Sequence, residues 1–144
     1  MTTSDFPAAY FETRFRVDAA AGRTKWPECF AILTAWATTG EIWSLDRNQQ
    51  ADERLRAELV RCGAWHVRCT GYSPATGHAE PGWAVDMDCG AACELGRRFL
   101  QHAFYYVRSD ELRVVSCRDG QASHPIDRFT ARIDEHPVTE TDSE

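Results

Sequence analysis

The sequence predicts an α+β fold, a ferredoxin-like split β-α-β sandwich with an additional C-terminal hairpin strand. Three observations carry that expectation. Apolar periodicity runs in the order strand, helix, strand, strand, helix, strand, the plan of helices laid on one face of a mainly antiparallel sheet. Cys29 to Trp36 is apolar on both faces, as a covered central strand must be, whereas Trp65 to Tyr72 alternates like a half-exposed one. Finally, Ser109-Asp110-Glu111 separates two apolar stretches closely enough to make a hairpin.

The first strand is read at Cys29 to Trp36, followed by a turn at Thr38-Thr39-Gly40. Asp46, with Gln49 three residues on, is placed to cap a helix that runs to about Arg61 and stops at Gly63. Ala51, Leu55, Leu59 and Cys62 share its apolar stripe, leaving Asp52, Glu53, Arg56 and Arg61 for solvent. Strand two, Trp65 to Tyr72, turns Trp65, Val67 and Cys69 inward. Trp83, Val85 and Met87 mark strand three by period two. Asp88 caps a second helix, Cys89 to about Leu100, that buries Ala92, Leu95, Gly96 and Phe99. Ala103 to Val107 and Leu112 to Cys117 close the plan as strands four and five. Residues 6–17 mix both periodicities, Gly22 to Pro27 reads as a loop, and residues beyond Arg118 read as loop.

At 144 residues, 43% of them hydrophobic and 26% charged, the chain fits one globular domain with a real core. The domain is expected over 1–133. The acidic stretch 134–144 holds five acids and no Lys or Arg, and is expected to be a disordered tail. That stretch accounts for five of the six net negative charges, so the body is near neutral. Neither part has the basic footprint of a nucleic-acid binder. No apolar run approaches the ~20 residues that span a bilayer. The first six residues have neither basic nor apolar signal character, so a cytoplasmic location is expected, with no membrane partner. The six cysteines form no C-x-x-C pair, which argues for reduced, small apolar side chains over a zinc ribbon or redox motif.

The topology predicts where polar side chains converge. Strand one ends at the edge where the first helix begins, and strand two, parallel to it, ends at that edge too. Asn48, His78, Glu80, Gln101 and His102 therefore fall on one rim, with Cys89 and Cys93 on the opposite one. Pro81 favours an extended Glu80, so His78 and Glu80, two apart, share a face. A His beside a carboxylate is the common arrangement for acid–base work near neutral pH, and these two are the catalytic candidates. Asn48, Gln101 and His102 are candidate substrate-binding groups, with Trp36 and Trp83 as flat apolar walls. The start of the first helix adds backbone N–H groups suited to phosphate or carboxylate. The expected ligand is a small polar or anionic metabolite. No metal is expected, since His78, Glu80 and His102 lack a demanding ligand spacing, and no cofactor motif is present. The competing expectation is a protein-interaction module anchored on Trp43 and Tyr72, its encounters tuned by the acidic tail.

Several stretches together resemble the bacterial family catalogued as domain of unknown function 3293. They are Tyr10 to Val17, Ile32-Leu33-Thr34-Ala35-Trp36, Asn48-Gln49 with Leu55, His78-Ala79-Glu80-Pro81-Gly82-Trp83, and Phe99-Leu100-Gln101-His102-Ala103-Phe104. The resemblance covers about residues 8 to 117. Where the family has Asn-Pro after Thr-Ala-Trp, this chain has Ala37-Thr38. The resemblance implies no reaction, substrate or cofactor.

Overall fold

A computed structural model describes residues 6–18, 25–37, 41–118 and 122–136. The chain is α+β; its described residues form two α-helices and two sheets. In chain order the elements are β1 (Arg14–Asp18), β2 (Cys29–Leu33), α1 (Leu45–Cys62), β3 (His66–Arg68), β4 (Thr70–Tyr72), β5 (Ala79–Glu80) and β6 (Trp83–Val85). There follow α2 (Cys89–Arg98), β7 (Ala103–Arg108), β8 (Glu111–Ser116), β9 (Ser123–Arg128) and β10 (Ile133–His136). A 3-10 turn, Ala8–Phe11, precedes β1.

The larger sheet has the order β3-β6-β2-β7-β8-β9 with every neighbouring pair antiparallel. The smaller has the order β10-β1-β4-β5, in which only β10 runs parallel to β1. Period two along β2 explains how both faces of the larger sheet are used. Ala31 and Leu33 pack with Ala51, Leu55 and Leu59 of α1 and Ala92 and Leu95 of α2. Phe30 and Ile32 pack the other way, against Phe15 and Val17 of β1 and Phe129. The helices cover one face and the smaller sheet the other, so β2 is apolar on both sides for a physical reason. Leu55 and Leu59 are sealed at 1% and 0% exposure, and each such burial stabilises by about 2 kcal/mol.

The helix boundaries follow their caps. Asp88 accepts from the Ala91 N–H at 2.7 Å and opens α2 as expected. α1 opens two residues earlier than the Asp46 reading. Ser44 is its cap and accepts from the Arg47 N–H, while Asp46 sits in the first turn and takes a bond from Gln50. Gly63 ends α1 with a φ of 71°, a left-handed conformation an L side chain resists.

The structure makes several other corrections. Asp52, assigned to solvent, is buried, because Arg68 and Trp83 both reach it; Cys62, assigned to the core stripe, is exposed. Residues past Arg118 include two strands, β9 and β10, instead of only loop. The domain runs beyond residue 133: Asp134 lies in β10, where Arg14 grips it with two bonds of 2.9 Å and the Tyr72 hydroxyl donates to it. That spends Tyr72 internally. The turn at 38–40, residues 22–24 of the loop from Gly22 and the tail from 137 onward lie outside the described residues.

The stretch Trp65 to Tyr72 also differs from the single strand expected. β3 pairs with β6 in the larger sheet and β4 with β5 in the smaller, so the hairpin changes sheets. On one arm the change falls at Cys69, and on the other at Pro81-Gly82. Pro81 offers no N–H to a ladder. A Cβ on Gly82 would lie 2.5 Å from the Leu33 carbonyl oxygen and 3.1 Å from that of Cys69. Only glycine lets the two arms and β2 meet there, and the Cys69 N–H donates to the Gly82 carbonyl at 3.0 Å.

Candidate functional site

The corner leaves a space. Between the two sheets, where the hairpin crosses from one to the other, lies a cavity of about 170 Å³. Its floor comes from Ile32, Leu33, Phe104 and Tyr105, its opposite wall from Phe15, Gly71 and Tyr72, and its edge from His78, Glu80 and Gln101. The 3-10 turn contributes Ala9 and Tyr10. An apolar cavity of about 150 Å³ accommodates a benzene-sized molecule, so this one suits roughly six non-hydrogen atoms.

His78 and Glu80 are joined, Nε2 to Oε2, at 3.0 Å. β5 sets the geometry: Glu80 is paired to Gly71 across the ladder, and the Ser73 N–H bonds the His78 carbonyl at 2.9 Å. With side chains 66% and 35% exposed, the pair adds less than about 1 kcal/mol to folding. Either residue can therefore be changed without expecting loss of the fold.

Gln101 is 8% exposed and follows Leu100, whose positive φ of 64° turns the chain out of α2. Its amide nitrogen donates to the Trp36 carbonyl at 2.8 Å and the Phe99 carbonyl at 3.1 Å. Asn48 is spent nearby, Oδ1 accepting from the Ala37 N–H at 2.8 Å. Asn48 and Gln101 thus pin the segment leaving β2 from two sides. Thr34 adds a third pin, donating to the Pro81 carbonyl at 2.8 Å and accepting from the Trp36 N–H.

Of the seven sequence candidates, His78, Glu80 and Gln101 line the cavity and Asn48, His102, Trp36 and Trp83 do not. His102 is exposed. The Trp36 indole Nε1 is buried and makes no hydrogen bond. Trp83 stands behind the cavity, where its Nε1 donates to Asp52 at 3.1 Å and the Arg68 guanidinium stacks 3.9 Å over its ring. Arg68 in turn forks onto both Asp52 oxygens at 3.0 and 2.8 Å. This network is a brace, tied to the corner by a further bond from Arg68 to the Gly82 carbonyl at 3.3 Å.

Sequence reading missed Tyr10, Thr13, Phe15 and Tyr105. The Tyr105 hydroxyl donates to Thr13 Oγ1 at 2.9 Å, and its pKa is raised, chiefly by burial, with Tyr10 and Glu80 adding to the effect. A signal was present in Phe15 and Val17 alternating with Arg14 and Arg16, but nothing in the sequence placed that strand against β4. Cys69 borders the cavity with no exposed surface; burial pushes its thiol up to about 12, so it is held as the unreactive neutral form. Among the described residues no group of three or more His, Cys, Asp or Glu is placed to hold a metal. No described helix is long and apolar enough to cross a membrane.

No curated protein and no solved structure matches the chain. A family model described as "Protein of unknown function (DUF3293)" matches residues 33–104, half of the chain, from the end of β2 through the sheet-crossing hairpin and α2 into β7. The chain belongs to that family.

Proposed function

We propose that this chain binds a small molecule in the cavity between its sheets, with His78 and Glu80 as polar anchors and Gln101 as a positioning group. The observation that carries the reading is the cavity itself: a mainly apolar space edged by an exposed, stability-neutral His–carboxylate pair. Asn48, Trp36 and Trp83 contribute by fixing the wall; His102 has no part in it. The order β3-β6-β2-β7 with α1 and α2 as crossovers supports a ferredoxin-like reading of the central layer, to which β8, β9 and the smaller sheet are added.

A thermal-shift screen of small metabolites against wild type, His78→Ala and Glu80→Gln tests the proposal. Stabilisation of the wild type that is diminished in both variants supports it. Equal stabilisation of all three places binding elsewhere and overturns the assignment. A protein-docking reading has one observation in its favour. Ile42 and Leu45 stand 96% and 60% exposed on either side of Trp43, whose ring is covered by the Arg47 guanidinium at 3.8 Å.

A further inference from the structure

We infer that the ligand of this cavity is a cation, a small primary or secondary ammonium on a short apolar body, held by Glu80 and the surrounding aromatic faces. The inference rests on the cavity being a ligand site, and names the chemistry it selects.

The first ground is charge. Among the described residues no Lys or Arg lines the cavity; its carboxylate is that of Glu80. The nearby guanidiniums are engaged on other groups. Arg14 is forked onto Asp134, Arg132 bonds Asp127 together with the Phe11 and Thr13 carbonyls, and Arg16 stacks 4.0 Å over the Tyr72 ring. An anionic metabolite would meet that carboxylate with no guanidinium or ammonium among the described lining residues to offset it, His78 being already bonded to Glu80.

The second ground is the hydrogen-bond inventory. Most side-chain donors along the wall are spent inside the protein. Thr13 donates to the Ala9 carbonyl, Thr34 to Pro81, Tyr72 to Asp134, Tyr105 to Thr13 and the Tyr10 carbonyl, and both N–H groups of Gln101 to Trp36 and Phe99. What remains is chiefly acceptors, Gln101 Oε1 and Glu80 Oε1, neither bonded among the described residues, beside the Ser73 hydroxyl and the second ring nitrogen of His78. A wall of acceptors is complemented by a ligand that brings N–H donors.

The third ground is the aromatic lining. Tyr10, Phe15, Tyr72 and Tyr105 contribute, and Tyr105 meets Tyr10 and Phe15 edge to face with centroids 5.9 and 5.1 Å apart. Ring faces attract a desolvated ammonium and disfavour a carboxylate. The hydroxyl of Tyr105, held neutral by burial, adds no competing charge.

The test compares probes of one shape. Butylammonium, butan-1-ol and butyrate are titrated into the full chain at neutral pH, with binding located by backbone amide shifts in nuclear magnetic resonance. Expected is saturable binding of butylammonium that moves the amides of Gly71, Glu80 and Gly82, at least tenfold tighter than butan-1-ol, with butyrate weakest. Glu80→Gln should cost butylammonium about tenfold and leave butan-1-ol unchanged. If butan-1-ol or butyrate binds at those amides as tightly as butylammonium, the cavity is a ligand site but the cation inference is wrong. If none of the three moves those amides, the ligand-site reading fails and this inference with it.

Discussion

Replacing Gly82 by alanine probes the corner on which the cavity depends. The added methyl group would sit 2.5 Å from the Leu33 carbonyl oxygen, 3.1 Å from the Cys69 carbonyl oxygen and 3.3 Å from the Leu33 carbonyl carbon. All three are main-chain atoms in paired strands or the crossing between them, so no side chain can swing aside. Relief requires the hairpin to back away from β2, stretching the 3.0 Å bond from the Cys69 N–H to the Gly82 carbonyl. Overpacking of this kind plus one weakened buried hydrogen bond costs about 3 kcal/mol. For a chain of this length that lowers the midpoint of thermal unfolding by roughly 9 °C. Gly77→Ala is the control, since its φ of 80° is strained but nothing lies within 4 Å of the new methyl. Its penalty is limited to about 1–2 kcal/mol of backbone strain. Circular dichroism melts of the three proteins decide the matter. A Gly82→Ala midpoint within about 2 °C of wild type, or one above that of Gly77→Ala, would refute the crowding argument.

Other outcomes follow from the same contacts. Asp52→Ala strands the Arg68 guanidinium and the Trp83 N–H; with Arg68 40% exposed, the loss in urea unfolding should be about 2 kcal/mol, less than for a sealed pair. A double-mutant cycle with Arg68→Ala should show positive coupling, and simple additivity would dissolve the brace. Thiol labelling of the native protein should modify exposed Cys62 fast and leave Cys69, Cys93 and Cys117 until the chain unfolds. Arg14, and after it the Tyr72 hydroxyl, hold the Asp134 carboxyl down to about 2 against an ordinary 3.8. A depressed carboxyl stabilises above its ordinary range, so this contribution is lost as pH falls from about 4 toward 2. Asp134→Asn should flatten that part of the stability profile, and an unchanged acid limb would remove β10 from the account.

Five strands of the larger sheet, all but β9, and both helices were legible because their periodicities are unambiguous and their caps local. Asp88 and Gly63 act within one turn of themselves, so neighbouring residues suffice to read them. Asp46 misled because Ser44, also a capping residue, begins the helix earlier, and sequence offers no way to rank two good caps. The smaller sheet was hidden for a different reason. β4 and β5 are three and two residues long, too short for a period, and β1 acquires meaning only through partners about 55 and 118 residues away. Asp52 belongs to the same class: on α1 alone it reads as a solvent-facing acid, and only the approach of Arg68 and Trp83 makes its burial tolerable.

For the site, the turn residues carried most of the information. Pro81 favoured an extended Glu80, and placing His78 and Glu80 on one face agrees with their 3.0 Å bond. The common rim was coarse as chemistry. Asn48 and Gln101 do meet near Trp36, yet their bonds to main-chain atoms show them holding backbone in place. Tyr105 and Phe15, which enclose the space, come from opposite sheets and have no mutual signal in the chain.

The central claim is that the space between the sheets takes a ligand, and an amide map of the native protein tests it most directly. Backbone amide shifts are recorded during titration with whichever small molecule most stabilises the wild type. The account predicts that Gly71, Glu80, Gly82 and Ala103 respond together, while Ala51 and Cys93 on the helix-covered face stay still. Shifts confined to the helix-covered face or to the exposed Ile42–Leu45 surface, with those four amides unmoved, would contradict it.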